Sequence, residues 1–320
     1  QRETNPLLSR QPGIVAFSKV LTESNTTHKS VPMLMSDITA CNFDSIYHQK
    51  GIITAFKEAG YQTAFFSNQR YNHSFIDFFG KEADTFDFIK EDSLDSAYNP
   101  SDDELLALVA KELSKGNQKQ FIVLHTYGSH FNYRERYPSE DAFFLPDYPV
   151  EAEVKYRDNL VNAYDNTIRY TDSFLSRLIH MLEEQHVDAA MLYTSDHGED
   201  IFDDSRHLFL HASPVPSYYQ LHVPFLIWMS DTYREAYPEH WQTVTGNKDK
   251  DVSSSCSFFP TMLELGGVQT SYRNDSSSVV SPLYTMKPRV YLNDHNEPRP
   301  LDDLGMKQPD FQKCQVIGNK

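Results

Sequence analysis

The stretch VDAAMLYTSDHGED, residues 187–200, joins an apolar run to a cluster of polar side chains. The run from Ala189 to Tyr193 has the composition of a buried strand, and Asp196, His197 and Glu199 follow where that strand would end. In open α/β sheets, functional sites form beyond the carboxyl ends of the strands. The stretch therefore predicts an α/β fold with a site at this strand end.

Apolar runs that alternate with helical patterns extend this interpretation to the rest of the chain. From Val154 to Gln185, apolar residues recur at three- and four-residue steps, which predicts a long helix. Further helices are predicted at QKGIITAFKEAG, at SDDELLALVAKELSKG with Ser101 as its N-cap, and at SCSFFPTMLELGG. Strands are predicted at GIVAFSKVLT, YQTAFFS, KQFIVLHTY, VDAAMLYTS and YYQLHVPFLIWMS. Strands that consist almost entirely of apolar residues and alternate with helices indicate a mainly parallel sheet sandwiched by helices.

Charge and length exclude several classes of protein. The 320 residues carry 45 acids and 29 bases, a net charge of −16, so the basic patch of a nucleic-acid binder is not expected. No apolar run approaches the ~20 residues that span a bilayer. We expect residues 1–320 to form a single catalytic domain, with an irregular tail over residues 294–320.

The three cysteines, Cys41, Cys256 and Cys314, include no CxxC motif, so a cysteine-based zinc site is not expected. An odd count leaves at least one free thiol. The disulfide state of all three stays open.

Several predicted strands end in residues that bind metals. KQFIVLHTYGSH brings His130, VDAAMLYTSDHGED brings Asp196 and His197, and HLFLHASP adds His211. Imidazole nitrogen and carboxylate oxygen are the ligands that zinc takes when no thiolate is offered. These four side chains are therefore candidate zinc ligands. His207 is a rival to His211, because both lie in the same short segment.

Residues 22–36, TESNTTHKSVPMLMS, contain the candidate nucleophiles. Their hydroxyls belong to Thr22, Ser24, Thr26, Thr27 and Ser30. A hydroxyl at a helix N-terminus lies where backbone N–H groups hold an anion, and coordination to zinc would lower its pKa. The alternative is that Thr26, Thr27 or the preceding asparagine is simply an N-cap. On local sequence alone, the N-cap interpretation is favoured.

Five motifs in order carry a resemblance to a known family: NTTHKSVPMLMS, LHTYGSHFNYRERYP, NAYDNTIRYTDSFL, YTSDHGED and FLHASPVP followed by VPFLIW. Together they resemble the phosphoethanolamine transferases of the alkaline phosphatase/sulfatase superfamily, enzymes that modify lipopolysaccharide in Gram-negative bacteria. The resemblance runs from RETNPLL to SCSFFPTMLEL, most of the chain. It implies the alkaline phosphatase/sulfatase-like fold and zinc-dependent chemistry with one or two Zn²⁺ ions.

The resemblance also implies roles for individual residues. Thr27, three residues before Ser-Val-Pro, matches the catalytic nucleophile and a zinc ligand, and Asp196 and His197 match the zinc-binding pair. His130 and His211 match histidines that hold the phosphoryl oxygens, directly or through a second zinc. Glu199 and His73 match substrate-binding positions.

The family's first zinc also takes a Glu from a Gly-Glu-Ser/Thr motif on the first strand. That motif precedes the element that here begins the chain as QRETNP, and Glu3 comes too late to replace it. We therefore expect the strand, its Glu and the family's transmembrane helices to lie upstream of Gln1. The zinc site of the 320 residues alone could then be weak or depleted.

The implied reaction transfers phosphoethanolamine from phosphatidylethanolamine to a glycolipid acceptor, lipid A or a core sugar, through a phospho-threonine. The full-length protein would be anchored in the Gram-negative inner membrane with this domain in the periplasm. Alternatives are a sulfatase-like phosphodiesterase or hydrolase of the same superfamily, and an inactive, truncated binding domain. The absence of Cys near Thr27, and of Arg in SVPML, argues against a sulfatase.

Overall fold

The computed structural model describes residues 2–90, 99–116, 119–307, 309–310 and 312–313. Over these residues the chain forms strands β1 (Ile14–Ala16), β2 (Val20–Leu21), β3 (Gln62–Ser67), β4 (Thr85–Phe88), β5 (Gln120–His125), β6 (Ala190–Thr194), β7 (Asp200–Ile201), β8 (Phe209–Leu210), β9 (Phe225–Met229), β10 (Val252–Ser253), β11 (Val290–Leu292) and β12 (Pro298–Pro300). Its helices are α1 (Thr27–Met35), α2 (Ile52–Glu58), α3 (Phe75–Gly80), α4 (Glu104–Leu113), α5 (Arg157–Glu183), α6 (Tyr218–Leu221), α7 (Asp231–Ala236), α8 (Pro238–Asn247) and α9 (Ser254–Leu265). Of the helices in the described part, none is both long and apolar enough to cross a membrane.

Two three-stranded sheets form the centre of the fold. In one, β3 pairs in parallel with β4 on one side and with β5 on the other. In the other, β9 pairs antiparallel with β1 and with β6. The α/β class is confirmed, and the sheet of β4, β3 and β5 is parallel as predicted.

The antiparallel pairing of β9 was not predicted. The sequence suggested one continuous strand over YYQLHVPFLIWMS, but its first residues form the short helix α6 and only Phe225–Met229 are extended. After β6 the chain stays at the carboxyl end of that strand to build the site loops. It therefore enters β9 from that end and must run back along β6.

Helices cover both faces of the parallel sheet, because alternate residues of β3 point to opposite sides. Phe65 belongs to an apolar cluster that includes Phe56 of α2. Phe66 belongs to a second cluster with Leu105 of α4 and Phe174 of α5. The predicted sandwich of sheet and helices is thus observed here, and it fixes the strand ends that carry the site.

Strands β5 and β6 each have one strand neighbour, and their other edges face a common cavity of about 1640 Å³, called the inter-sheet cavity below. Every residue of both strands lines it, together with side chains of α5 and α9. In β3, five of six residues are buried, whereas one of six is buried in β5 and none of five in β6. Among the residues that the structure describes, no strand lies between the two open edges.

The predicted start of helix α4 differs from the structure. Helix α4 begins at Glu104 rather than after an N-cap at Ser101, and its N-cap Asp103 makes no side-chain cap bond. The intervening Asp102 is buried and accepts hydrogen bonds from Asn68 Nδ2 and from the backbone N–H groups of Tyr127 and Gly128. This carboxylate ties the residues before α4 to the ends of β3 and β5, so the helix starts later.

Within the tail expected to be irregular, β12 pairs antiparallel with β11 and forms a hairpin. Beyond it, the Arg206 guanidinium forms an ion pair with the buried Asp310. Residues 308, 311 and 314–320, which include Cys314, lie outside the described part. Cys41 and Cys256 are free thiols.

Candidate active site

The candidate site lies where α1 begins and where β5 and β6 end. Thr27 is the first residue of α1, and Asp196 and His197 follow the end of β6. All three line one end of the inter-sheet cavity, where His125 completes β5. The prediction that polar strand ends would gather at one edge is confirmed for these residues.

The hydroxyl of Thr27 contacts His197, not its own helix. Its Oγ1 lies 3.0 Å from Nε2 of His197. Thr26 is the N-cap residue and makes no side-chain cap bond. Of the other candidate hydroxyls, Ser24 bonds the Thr26 side chain and Ser30 donates to the Thr26 carbonyl. The structure thus singles out Thr27 from the five hydroxyls that the sequence offered.

The tautomer of His197 follows from its second hydrogen bond. Nδ1 lies 3.0 Å from the carbonyl oxygen of Gly198, and a carbonyl only accepts. Nδ1 therefore carries a proton, and in the neutral ring Nε2 holds the lone pair that faces Thr27. The same lone pair is the donor that a metal ion would take.

Asp196 is held in its charged form beside this pair. Burial opposes its ionisation, but the neighbouring His197, the Thr27 hydroxyl and His125 outweigh it and hold the pKa of Asp196 below its usual range. Its Oδ2 lies 3.4 Å from Nε2 of His197 and, although buried, has no hydrogen-bond partner. A buried carboxylate oxygen without a partner is costly and calls for a cation.

Gly198 allows close packing behind the pair. A Cβ at this position would lie 2.1 Å from the carbonyl oxygen of Tyr219. Its backbone N–H donates to the Gln220 carbonyl at 2.9 Å. Gly198 is not among the glycines with positive φ. What the position requires is the absence of a side chain.

Glu199 links two further residues of the site. Its Oε2 accepts a short hydrogen bond from the Tyr133 hydroxyl, and its Oε1 lies 3.1 Å from Nδ1 of His211. The His211 ring lies 4.0 Å from the His197 ring, centroid to centroid. Glu199 therefore holds His211 against His197 and turns its Nε2 outward.

The remaining predicted histidines differ in position. His130 is exposed and lines the inter-sheet cavity, and its Nδ1 lies 2.5 Å from the Phe131 carbonyl oxygen. His207 is exposed, with only a backbone bond to Asp204, so His211 and not its rival contacts the site. His73 is exposed and contacts the Tyr71 ring edge-to-face, and it does not line the cavity with Thr27.

The donors around Thr27 fit a zinc ion. A threonine oxygen, a carboxylate oxygen without a partner and an unprotonated imidazole nitrogen lie together, and these are ligand types that zinc accepts. In the described part of the chain, no three His, Cys, Asp or Glu side chains are grouped so that they could hold a metal. If zinc binds here, Asp196 and His197 would supply two such ligands and Thr27 a third.

Sequence reasoning missed Tyr133 and His125. Tyr133 is fully buried, and burial followed by the Glu199 charge raises the pKa of its hydroxyl, which therefore stays a donor. His125 lies 3.0 Å from the Ser67 hydroxyl, and burial lowers its pKa. Both residues belong to LHTYGSHFNY, the motif quoted for His130, but no spacing rule marks a buried tyrosine as a partner of Glu199.

Comparison with known proteins identifies the family and the fold of the chain. Residues 1–268 match the family model described as Sulfatase. The phosphoethanolamine transferase EptA of Salmonella typhimurium is 28% identical over 290 residues, which cover 88% of this chain and 52% of that protein. The chain spans about half the length of the curated relatives it matches.

Two solved structures share the fold. The C-terminal periplasmic domain of EptC from Escherichia coli, a complex with Zn, superposes with a TM-score of 0.84 at 22% identity over 97% of this chain and 89% of that one. The integral membrane lipooligosaccharide phosphoethanolamine transferase A from Neisseria meningitidis gives a TM-score of 0.78 at 27% identity, over 87% of this chain and 53% of that one. The chain therefore belongs to the sulfatase family, has the alkaline phosphatase/sulfatase-like fold and is homologous to phosphoethanolamine transferases.

Proposed function

We propose that residues 1–320 are the catalytic domain of a zinc-dependent phosphoethanolamine transferase. The observation that carries the proposal is the 3.0 Å contact between the Thr27 hydroxyl and Nε2 of His197, beside the Asp196 carboxylate. The donor is phosphatidylethanolamine, and the acceptor is lipid A or a core sugar of a cell-surface glycolipid. Relatives named for phosphoethanolamine transfer, one of them to Kdo(2)-lipid A, support this reaction class.

In the first step, Oγ1 of Thr27 forms a bond to the phosphorus of the donor, and the bond from phosphorus to the diacylglycerol oxygen breaks. The proton lost from Thr27 ends on the released diacylglycerol. Nε2 of His197 orients the hydroxyl, and the N-terminus of α1 favours the negative phosphoryl group beside it. The product is a phosphoethanolamine ester of Thr27.

In the second step, an acceptor oxygen attacks the same phosphorus and Thr27 leaves as the hydroxyl. We assign His211 and His130 to the phosphoryl oxygens, with Glu199 fixing the His211 ring. Glu199 and His73 stay our predicted substrate contacts, although His73 would have to approach from outside the cavity.

Asp196, His197 and Thr27 would hold the zinc ion, and the related EptC domain is a zinc complex. Bound there, zinc supplies a positive charge that lowers the pKa of the Thr27 hydroxyl. His130 and His211 are the predicted ligands of a second ion.

The position of the phosphoryl intermediate tests the proposal. Incubation of the full-length enzyme with phosphatidylethanolamine is expected to add one phosphoethanolamine to the peptide that contains Thr27, detected by mass spectrometry. Thr27→Ala should remove the adduct, whereas the matched control Thr26→Ala should keep it. An adduct that survives Thr27→Ala contradicts the assignment, and release of free phosphoethanolamine without transfer would indicate a hydrolase.

We propose further that a strand from upstream of Gln1 enters the inter-sheet cavity and completes the sheet. The carboxyl ends of β5 and β6 lie at the same end of the cavity, with His125, Asp196 and Thr27. A strand parallel to both would pair with both open edges and deliver its last residues to the zinc ligands. It should be apolar on both faces, because α5 and α9 line the cavity above and below it.

The first described residues lie in the right place for this connection. Arg2 donates to Asn162 Oδ1 of α5 at 2.6 Å, and the Leu8 N–H donates to Asp172 at 2.9 Å. Thr4 and Leu8 line the inter-sheet cavity. A strand that ends near Thr27 could therefore reach Arg2 over the site end of α5. Its expected carboxylate would add a third acidic or imidazole ligand to Asp196 and His197.

Zinc analysis tests this step. The 320-residue chain should bind zinc weakly, and a chain that begins upstream of Gln1 should bind one ion at least 10-fold more tightly, measured by competition with a chelator. Tight, stoichiometric zinc in the 320-residue chain would show that the site needs no further ligand.

A further inference from the structure

The hairpin of β11 and β12 lies beyond the part of the chain that matches the family model, and it is hydrogen-bonded to the segment that carries Thr27. The Leu292 N–H donates to the Glu23 carbonyl at 2.7 Å, before the nucleophile. After the nucleophile, Nζ of Lys29 donates to the Asn293 carbonyl at 2.6 Å. The hairpin therefore contacts this segment on both sides of the reacting hydroxyl.

Between these two contacts, Tyr291 of β11 reaches Asn25, two residues before the nucleophile. The Tyr291 hydroxyl lies 2.7 Å from Asn25 Oδ1, and both residues are 1% exposed. Asn25 Nδ2 lies 3.0 Å from the Ser213 carbonyl oxygen, which only accepts, so the orientation of the amide is fixed. Oδ1 is thus the acceptor, and the Tyr291 hydroxyl donates to it.

Gln220 continues this chain of hydrogen bonds to the loop after β6. Asn25 Nδ2 donates to Gln220 Oε1 at 2.7 Å, and Gln220 Nε2 donates to Oδ2 of the buried Asp200 at 2.7 Å. The Gln220 carbonyl accepts the Gly198 N–H at 2.9 Å. One buried residue therefore joins the nucleophile segment to the turn that follows His197.

The segment that carries His211 is bonded to the same two amides. The Ala212 N–H donates to the Asn25 carbonyl at 3.2 Å, and Gln220 Nε2 donates to the Ser213 hydroxyl at 2.9 Å. The three segments that the proposed reaction uses thus meet at one set of buried hydrogen bonds. These are the segment of the nucleophile, the turn after β6 and the residues after β8.

We call Tyr291, Asn25, Gln220 and Asp200 the buried amide network. Its hydrogen bonds run in one direction. Turning the Asn25 amide over would set its oxygen against the oxygens of Ser213 and Gln220, which is costly for buried groups. A fully satisfied buried network rigidifies the segments that carry it. Rigidity matters beside a nucleophile, because a misplacement of about 1 Å can cost on the order of 100-fold in rate.

We propose that the buried amide network positions Thr27 for attack on the donor, so that the hairpin of β11 and β12 is part of the active site. The inference rests on the proposed transferase function. Asn25, Gln220 and Tyr291 are positioning residues, since none of the three lines the cavity that Thr27 lines. Loss of a bond in the network should therefore slow formation of the Thr27 adduct without weakening binding of the donor.

Tyr291→Phe and Tyr284→Phe form a matched pair that tests this role. Tyr284 is also buried, and its hydroxyl donates to the Asp251 carbonyl at 2.6 Å, outside the network. Both changes should lower the urea midpoint of unfolding by a similar amount. In single turnovers of the full-length enzyme, only Tyr291→Phe should slow formation of the Thr27 adduct, by about 10-fold at saturating phosphatidylethanolamine. The concentration of lipid that gives half the maximal rate should stay unchanged.

A second measurement reports the position of Thr27 without turnover. In the 320-residue chain with methyl-labelled threonine, the Thr27 signal is identified by its loss in Thr27→Ala. Because Thr27 lies beside the His197 ring, this signal should shift in Tyr291→Phe and stay in place in Tyr284→Phe.

An unshifted Thr27 signal in Tyr291→Phe would overturn the inference, and so would equal rates of adduct formation in the two variants. An effect on half-saturation alone would also overturn it, because that result indicates a contact with the donor. If the parent enzyme forms no adduct, the transferase proposal fails, whereas the methyl signal still decides whether the network positions Thr27.

Discussion

At the scale of single residues, the site depends on what each side chain already contacts. Thr26 and Thr27 are adjacent and chemically alike, but only the second lies 3.0 Å from the lone pair of His197. Thr26 is the N-cap of α1, and its hydroxyl faces Ser24. One step along the backbone therefore separates a structural hydroxyl from a candidate nucleophile.

Tyr133 gives the first prediction at this scale. Its buried hydroxyl donates to Glu199, which in turn holds His211. Tyr133→Phe should lower the free energy of unfolding by about 1–3 kcal/mol, because the carboxylate loses a partner in a buried place. It should also slow transfer on the order of 10-fold by loosening His211. Urea unfolding and turnover measure the two effects.

Tyr148→Phe is the control for this change, since the Tyr148 ring is 57% exposed. It should alter the free energy of unfolding by no more than about 0.5 kcal/mol. Equal effects of the two substitutions would show that the bond to Glu199 contributes nothing.

Asp37 gives a pH-dependent prediction. Burial raises its pKa from 3.8 to about 6, so the folded state holds this proton more tightly than the unfolded state does. The cost of ionising it is present above pH 6 and disappears as the pH falls below about 4. Asp37→Asn should therefore stabilise the protein at pH 7.5 by about 1–2 kcal/mol, after discounting for partial exposure.

The comparison across pH checks this prediction. The gain in melting temperature from Asp37→Asn should shrink toward zero at pH 4, while the exposed control Asp249→Asn should show no such trend. A gain that is the same at both pH values would mean that burial of the charge is not its cause.

At the scale of elements, the sequence predicts what local periodicity determines. The three- and four-residue spacing of apolar side chains predicted α5, which the structure places at Arg157–Glu183. The apolar run before Asp196 predicted β6, and the polar residues after it lie at the site. In both cases the local pattern of apolar residues is compatible with one kind of element only, a helix for α5 and a strand for β6.

Contacts between distant segments explain what the sequence did not predict. Helix α4 starts late because Asp102 is bonded to Asn68 and to Tyr127, 34 residues before it and 25 after it. The direction of β9 depends on where the loops after β6 lie. The partnership of Glu199 with Tyr133 joins positions 66 residues apart. No local spacing encodes any of these.

Gly198 gives a prediction for the turn after β6. Gly198→Ala would bring a Cβ within 2.1 Å of a backbone oxygen, which no rotamer can relieve. The backbone must shift, so we expect a loss of about 2–3 kcal/mol in the free energy of unfolding, as for other overpacked sites. Because Asp196 and His197 precede this residue, zinc affinity should fall as well.

Gly246→Ala is the matched control, measured by the same unfolding assay. Gly246 lies inside α8, and a Cβ there would meet nothing within 4 Å. This change should stabilise the protein by about 0.5–1 kcal/mol, because alanine favours the helix. A Gly198→Ala variant as stable as Gly246→Ala would contradict the close packing behind the site.

At the scale of the whole molecule, the two sheets share a cavity that neither fills. The apolar strands β5 and β6 are less buried than β3. Apolar edges of this kind are costly in water and favour pairing with another strand. The proposed strand would explain both the split sheet and the incomplete set of zinc ligands, because it would supply backbone pairing and a carboxylate together.

Hydrogen exchange tests that explanation strand by strand. In the 320-residue chain, amides of β5 and β6 should exchange faster than those of β3 and β9, which have neighbours on both sides. When residues upstream of Gln1 are added, protection should rise in β5 and β6 because both gain a partner. The outer strands β4 and β1 gain no partner, so their exchange should change least and serves as the internal control.

A proline in the middle of the added strand should cancel the gain in protection, since it removes a hydrogen-bond donor from the strand pairing. Protection that rises equally in β1, β4, β5 and β6 would mean that the added residues stabilise the fold without entering the cavity.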